Sequence, residues 1–194
     1  MGKLILVSGA VRSGKSAFAE QLALQMETDK PIAYLATAQA LDQEMSERIK
    51  IHRGSRSGDV WQTFEEPYLL KDVLLKHHLT YHTWLLDCIT LYISNLLLAQ
   101  VKREKILDQF VDTKIQKVIA VQINEFIDTI TKLPVNFIAV TNEVGWGLVP
   151  PDPLSRAYRD LLGRVNQKFA RAAEEVYLLT MGIPLRLKPP KDVV

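Results

Sequence analysis

The sequence predicts an α/β fold, a mostly parallel β-sheet with helices over both faces. Three observations lead there. Short apolar runs rich in β-branched residues alternate almost throughout with stretches of helical composition. The runs are continuously apolar rather than alternating, which marks strands buried on both faces. The first run opens on a glycine-containing segment that leads directly into a helix.

Taken in order, KLILVS (3–8) is the first strand, and a helix runs from Lys15 to about Met26. PIAYLAT (31–37) is the second strand, followed by LDQEMSERIKIH (41–52), polar and rich in helix formers. VWQTFEE (60–66) reads as a short strand, and PYLLKDVLLKHH (67–78) has helical periodicity with Pro67 suited to a first turn. TWLLDC (83–88) is a buried strand. From Leu91 to about Lys132 the chain is mostly helical, with Leu107, Val111, Ile115, Val118 and Ile119 spaced as one apolar stripe. VNFIAVT (135–141) is the next strand, then a glycine- and proline-rich loop at 142–153. Asp152 can cap a helix that has Pro153 in its first position and runs to about Ala173. EEVYLLT (174–180) and PLRLK (184–188) close the chain as a β-hairpin. No linker or repeat interrupts the pattern, so residues 1–194 are expected to form one domain.

Composition narrows the class. Of 194 residues 47% are hydrophobic and 24% charged, which suits a globular chain with a full core. The 24 Lys and Arg nearly cancel the 22 Asp and Glu, without a basic block, so nucleic acid is not the expected partner. One cysteine, Cys88, excludes an intramolecular disulfide framework and suits a reducing compartment. A strand within three residues of the start leaves no room for a cleavable signal peptide, and the apolar runs are short of a membrane span. The expectation is a cytoplasmic protein.

The chemistry begins at Gly9, Ala10, Val11, Arg12, Ser13, Gly14, Lys15 and Ser16, which fit the phosphate-loop pattern G-x4-G-K-S at every position. The glycines let successive N–H groups turn inward around phosphates. Lys15 reaches the β- and γ-phosphates, Ser16 offers a hydroxyl to Mg²⁺, and the helix N-terminus favours the anion. Such a site also needs an acid at the end of a neighbouring strand. Asp87 fills that role, with Glu143 the weaker alternative; the plain reading of Asp87 is a cap for the helix near Thr90. The expected architecture is a single-domain P-loop NTPase fold, RecA-like, with a C-terminal hairpin. A switch GTPase is disfavoured, because VTNEVG lacks the lysine and aspartate of an N-K-x-D segment.

Four histidines are present, at 52, 77, 78 and 82. The last three lie around a helix end and a loop. His52 ends a helix that leads into RGSRSG, and at helical spacing it shares a face with Glu44 and Arg48. By itself this describes an exposed helix-end histidine as well as a reactive one.

ILVSGAVRSGKSAFAE, YLATAQALDQEMSERIKIHR, LLDCIT, VTNEVGWGLVP and GRVNQ together resemble the adenosylcobinamide kinase / adenosylcobinamide-phosphate guanylyltransferase family, bifunctional enzymes of cobalamin assembly. The resemblance spans essentially the whole chain. It implies that His52 carries GMP covalently, that GTP and ATP are substrates with Mg²⁺, and that adenosylcobinamide and its phosphate are acceptors. It implies nucleotide contacts at Ala36, Thr37, Ala38, Arg53, Gly54, Ser55, Arg56 and Glu65 beside the phosphate loop and Asp87, and a homotrimer. A neutral imidazole and a labile phosphoramidate suit nucleotidyl transfer, and Arg48, Arg53 and Arg56 would neutralise developing charge. Relatives often carry glutamate in place of Asp87 and Arg-Pro where this chain has Arg56-Ser57; neither change removes a reacting group. Asn142, Glu143 and Gly145 read equally as a glycine turn or as substrate-facing, and Trp146 as a corrinoid cover or a subunit contact. Arg156, Arg159 and Arg164 are expected to be solvated or paired with Asp160. Two other functions remain open on the residues: a monofunctional P-loop kinase of a small alcohol or nucleoside, and a nucleotide-binding module without turnover.

Overall fold

A computed structural model describes residues 2–27, 31–40, 43, 47, 54, 60–103 and 113–188. Its elements follow the expected alternation: β1 (Leu4–Gly9), α1 (Lys15–Met26), β2 (Ile32–Ala36), β3 (Trp61–Glu65), α2 (Leu70–His77), β4 (Thr83–Asp87), α3 (Ile89–Arg103), α4 (Thr113–Lys132), β5 (Asn136–Val140), α5 (Pro153–Ala172), β6 (Glu175–Thr180) and β7 (Ile183–Lys188). The strands form one sheet in the order β3-β2-β4-β5-β1-β6-β7. Every neighbouring pair is parallel except the closing β6–β7 hairpin. The described residues contain no helix long and apolar enough to cross a membrane.

Strand alternation splits the core in two. Leu4, Leu6, Ala33, Leu35, Trp84, Leu86, Phe137 and Ala139 face α2, α3, α4 and α5, where Phe126 and Phe169 fill the centre. Ile5, Val7, Ile32, Tyr34, Leu85, Ile138 and Val140 face Ala19 and Ala23 of α1. Both sets are buried, which is why the strands are apolar at consecutive positions.

Local signals explain most boundaries. Asp152 accepts a bond from Ser155 N at 2.8 Å, and Pro153 occupies the first turn of α5, as its sequence requires. Lys188 reaches back from β7 to the other end of that helix, donating to the carbonyls of Ala170, Arg171 and Ala173. Two expectations are corrected. Pro67 precedes α2 rather than opening it; Glu66 Oε1 accepts from the N–H groups of Tyr68 and Leu69 and turns the chain first, so the helix begins at Leu70. Of the apolar stripe, Ile115 and Ile119 are buried but Val118 is exposed. The inward face of α4 continues instead through Ile123, Phe126, Ile127 and Ile130. Leu107, Val111 and most of 41–52 lie outside the described residues.

Candidate functional site

The phosphate loop joins β1 to α1 and curls tightly. Ser13 N–H donates to Ala10 O at 3.3 Å, Lys15 Nζ donates to the same carbonyl at 3.0 Å, and Arg12 takes a left-handed φ of 58°. Two glycines are required by shape. A Cβ on Gly9 would lie 2.5 Å from Ser13 Oγ and 2.6 Å from Leu179 O. Gly14 has φ +90°, and its Cβ would meet Gly182 Cα at 3.2 Å. Ser13 Oγ and Asn142 Oδ1 are buried without a hydrogen-bond partner among the described residues.

Parallel register sets the rest. Glu65 pairs with Ala36, Ala36 with Asp87, Asp87 with Val140, and Val140 with Val7, so one row crosses the C-terminal ends of five strands. At about 4.8 Å per strand the row runs roughly 19 Å from Glu65 to the base of the phosphate loop. Asp87 lies within it, two strands from β1. This is the edge of an open α/β sheet at which ligands bind.

Asp87 is oriented by a residue the sequence reading missed. Tyr34 is buried in β2, and its hydroxyl donates to Asp87 Oδ2 at 3.1 Å. A phenol in an otherwise apolar strand needs a partner for its O–H, and that was the available signal. Lys15 is half-buried; burial lowers its pKa from 10.5, and Asp87 and then Cys88 act electrostatically to raise it. The Cys88 thiol is pushed up to about 12, chiefly by burial and then by the adjacent carboxylate, and stays protonated. It is not a nucleophile at neutral pH.

Thr37 and Ala38 continue from β2 over this edge. Thr37 is fully buried. Its Oγ1 donates to Cys88 O and accepts from Cys88 N, both at 2.9 Å, clamping the junction after Asp87. Asn95 on α3 donates to Thr37 O and Pro67 O. Glu65 is exposed at the sheet edge, at the far end of the row. Gly54 is exposed, and His52, Arg48, Arg53, Ser55 and Arg56 lie outside the described residues.

A second network holds the end of β5 against the phosphate loop. Glu143 N–H donates to Gly9 O at 3.2 Å, while Glu143 Oε1 accepts from Ser8 Oγ at 3.0 Å and Asn166 Nδ2 at 3.4 Å. Asn166 also accepts from Thr141 Oγ1 at 2.7 Å and donates to Asn142 O. Glu143 is thus engaged in the scaffold of the loop. Arg156 and Arg159 differ from expectation: Arg156 donates to the carbonyls of Pro150 and Pro151, and Arg159 to those of Leu148 and Gly145. A polypeptide turning back on itself leaves carbonyls to be satisfied, and these guanidinium groups satisfy them. Arg164 donates to Gln116 instead. Trp146 is carried on the strapped loop, 74% exposed.

The donor set fits Mg²⁺. Asp87 has a second carboxylate oxygen beside the one Tyr34 holds, and Ser16 presents a hydroxyl from the first turn of α1. These are hard oxygen ligands of the kind Mg²⁺ uses when phosphates complete its shell. Loop, lysine, hydroxyl and strand-end acid define a P-loop phosphotransfer enzyme of α/β fold. The particular family follows from the whole chain: residues 5–187 match the family described as cobinamide kinase / cobinamide phosphate guanyltransferase. The chain belongs to that family.

Relatives agree over nearly full length. The bifunctional adenosylcobalamin biosynthesis protein CobU of Escherichia coli K12 is 37% identical over 185 residues, covering 95% of this chain and 99% of that protein. Its Salmonella typhimurium counterpart is 39% identical over 186 residues, with 95% and 99% covered. Among solved structures, the flagellar accessory protein FlaH of Methanocaldococcus jannaschii aligns with a TM-score of 0.49 at 16% identity, over 97% of this chain and 79% of that one.

Proposed function

We propose that residues 1–194 form a single kinase and guanylyltransferase domain that phosphorylates adenosylcobinamide with ATP or GTP. The same domain then transfers GMP from GTP to adenosylcobinamide phosphate, giving adenosylcobinamide-GDP. The observation that carries the reading is the phosphate loop facing Asp87 across one strand-end row, in a chain that matches the bifunctional family from residue 5 to residue 187.

In the kinase step the loop N–H groups and Lys15 hold the triphosphate, and the substrate alcohol attacks the γ-phosphorus in line. Ser16 and Asp87 would hold Mg²⁺, which supplies neutralisation of phosphate charge; Tyr34 fixes the carboxylate for that task. In the transferase step the neutral imidazole of His52 attacks the α-phosphorus of GTP. A P–N bond forms as the bond to pyrophosphate breaks. A phosphate oxygen of adenosylcobinamide phosphate then attacks the same phosphorus, the P–N bond breaks, and histidine is released. Arg48, Arg53 and Arg56 would stabilise charge on the phosphates, while Ala36, Ala38, Gly54, Ser55 and Glu65 complete the nucleotide contacts and Thr37 supports them through its clamp on Cys88. The enzyme works as a cytoplasmic homotrimer on small molecules.

GTP labelled at the α-phosphate tests the reading. Wild type with Mg²⁺ acquires an acid-labile GMP adduct, and His52→Ala acquires none while retaining γ-phosphate transfer. A wild-type enzyme that transfers γ-phosphate but never takes the α-label would be a kinase only.

A further inference from the structure

The β6–β7 hairpin closes through Met181 and Gly182, both with positive φ, 51° and 79°, between the paired residues Thr180 and Ile183. Tight hairpins use such a left-handed pair and favour Asn, Asp or Gly in it. Gly182 obeys that preference. Met181 does not, and packing does not compensate for the strain, because its side chain is 86% exposed. A strained residue retained without local compensation points towards function.

The turn is docked on the phosphate loop. Gly182 N–H donates to Ser13 O at 3.0 Å, and Gly182 Cα is the atom that a Cβ on Gly14 would meet. The two sides of β1 differ. On one side lie β5 and then β4 with Asp87; on the other lie β6 and β7 with Met181. On the reading given under Proposed function, the γ end of a bound triphosphate faces the Mg²⁺-holding acid. Its α end and its nucleoside therefore leave the loop on the hairpin side.

We infer that Met181 is a platform for the nucleobase, its thioether lying against one face of the purine while Gly182 braces the phosphate loop. A polarizable sulfur on a flexible stem suits a flat π-surface. It offers no strong donor or acceptor to tell guanine from adenine, so the platform accepts both donors of the kinase step.

Met181→Asn and Met181→Gly test this, with GTP, ATP and inorganic triphosphate titrated into wild type and variants in the presence of Mg²⁺. The Kd for GTP and for ATP rises about 3- to 10-fold in both variants, that for inorganic triphosphate stays constant, and Met181→Leu retains most of the affinity. The apo Met181→Asn protein melts at a higher temperature than wild type, since the turn is relieved. Unchanged GTP affinity overturns the inference. So does equal weakening of inorganic triphosphate, which would make the turn a support for the loop alone, or an altered oligomeric state with nucleotide affinity intact. A wild type that binds inorganic triphosphate as tightly as GTP removes the platform only; one that binds neither removes the phosphate-loop reading with it.

Discussion

Lys15 shows how a single side chain sets stability against function. Burial lowers its pKa from 10.5 by more than Asp87 and Cys88 restore. The unfolded chain therefore holds this proton more tightly than the folded protein does. Between the lowered value and 10.5 the unfolded state binds more protons, so stability rises with pH through that window. Below the window the whole cost of the buried cation is present. Lys15→Met removes it: the apo variant resists urea better than wild type near pH 7, and the difference narrows as pH approaches 10.5. The variant also fails to bind triphosphate. Urea midpoints at several pH values measure the first effect and calorimetry the second; a variant weaker than wild type at neutral pH would contradict the account. At this scale the loop and Asp87 were legible, because adjacent residue types carry their chemistry. Tyr34 was not, since its partner lies 53 residues away in the chain.

Between elements, the contacts that shape the site are polar and long-range. Asn166 ties α5 to the ends of β5 and β1 through Thr141, Asn142 and Glu143. It is buried, so Asn166→Ala leaves several groups without a partner. The expected loss is about 1–3 kcal/mol in urea unfolding, together with weaker triphosphate binding as the Glu143–Ser8 contact slackens. A variant with wild-type stability would show that the network is dispensable. The segment GRVNQ was visible in the sequence, but only the fold reveals that its asparagine faces β5. The same limit applies to Arg156 and Arg159. As charges on a helix they read as solvated, and the carbonyls they hold belong to a loop whose path the sequence does not state. By contrast, the Asp152-Pro153 start of α5 was fully legible, since caps depend on neighbours in sequence.

For the whole molecule, the alternation of apolar runs was enough to predict a parallel α/β sheet with a closing hairpin, because burial on both faces leaves its mark at consecutive positions. Strand order was not available from the same pattern, as register between strands is set by tertiary packing. The proposed homotrimer belongs here too: sedimentation equilibrium of the apo protein gives three chain masses, and a monomer at micromolar concentration would exclude it.

The central place of β1 has a consequence for how the protein is made. Leu4 N–H donates at 2.7 Å to Glu174, 170 residues further on, and the braces of the phosphate loop come from β6 and the hairpin after it. At about 5–20 residues per second, a ribosome needs roughly ten to thirty seconds to supply those partners after β1 has been synthesised. The nascent chain thus carries its nucleotide-binding motif from the start but cannot assemble it until translation is almost finished. Partly synthesised chains are kept from capturing nucleotide by topology alone.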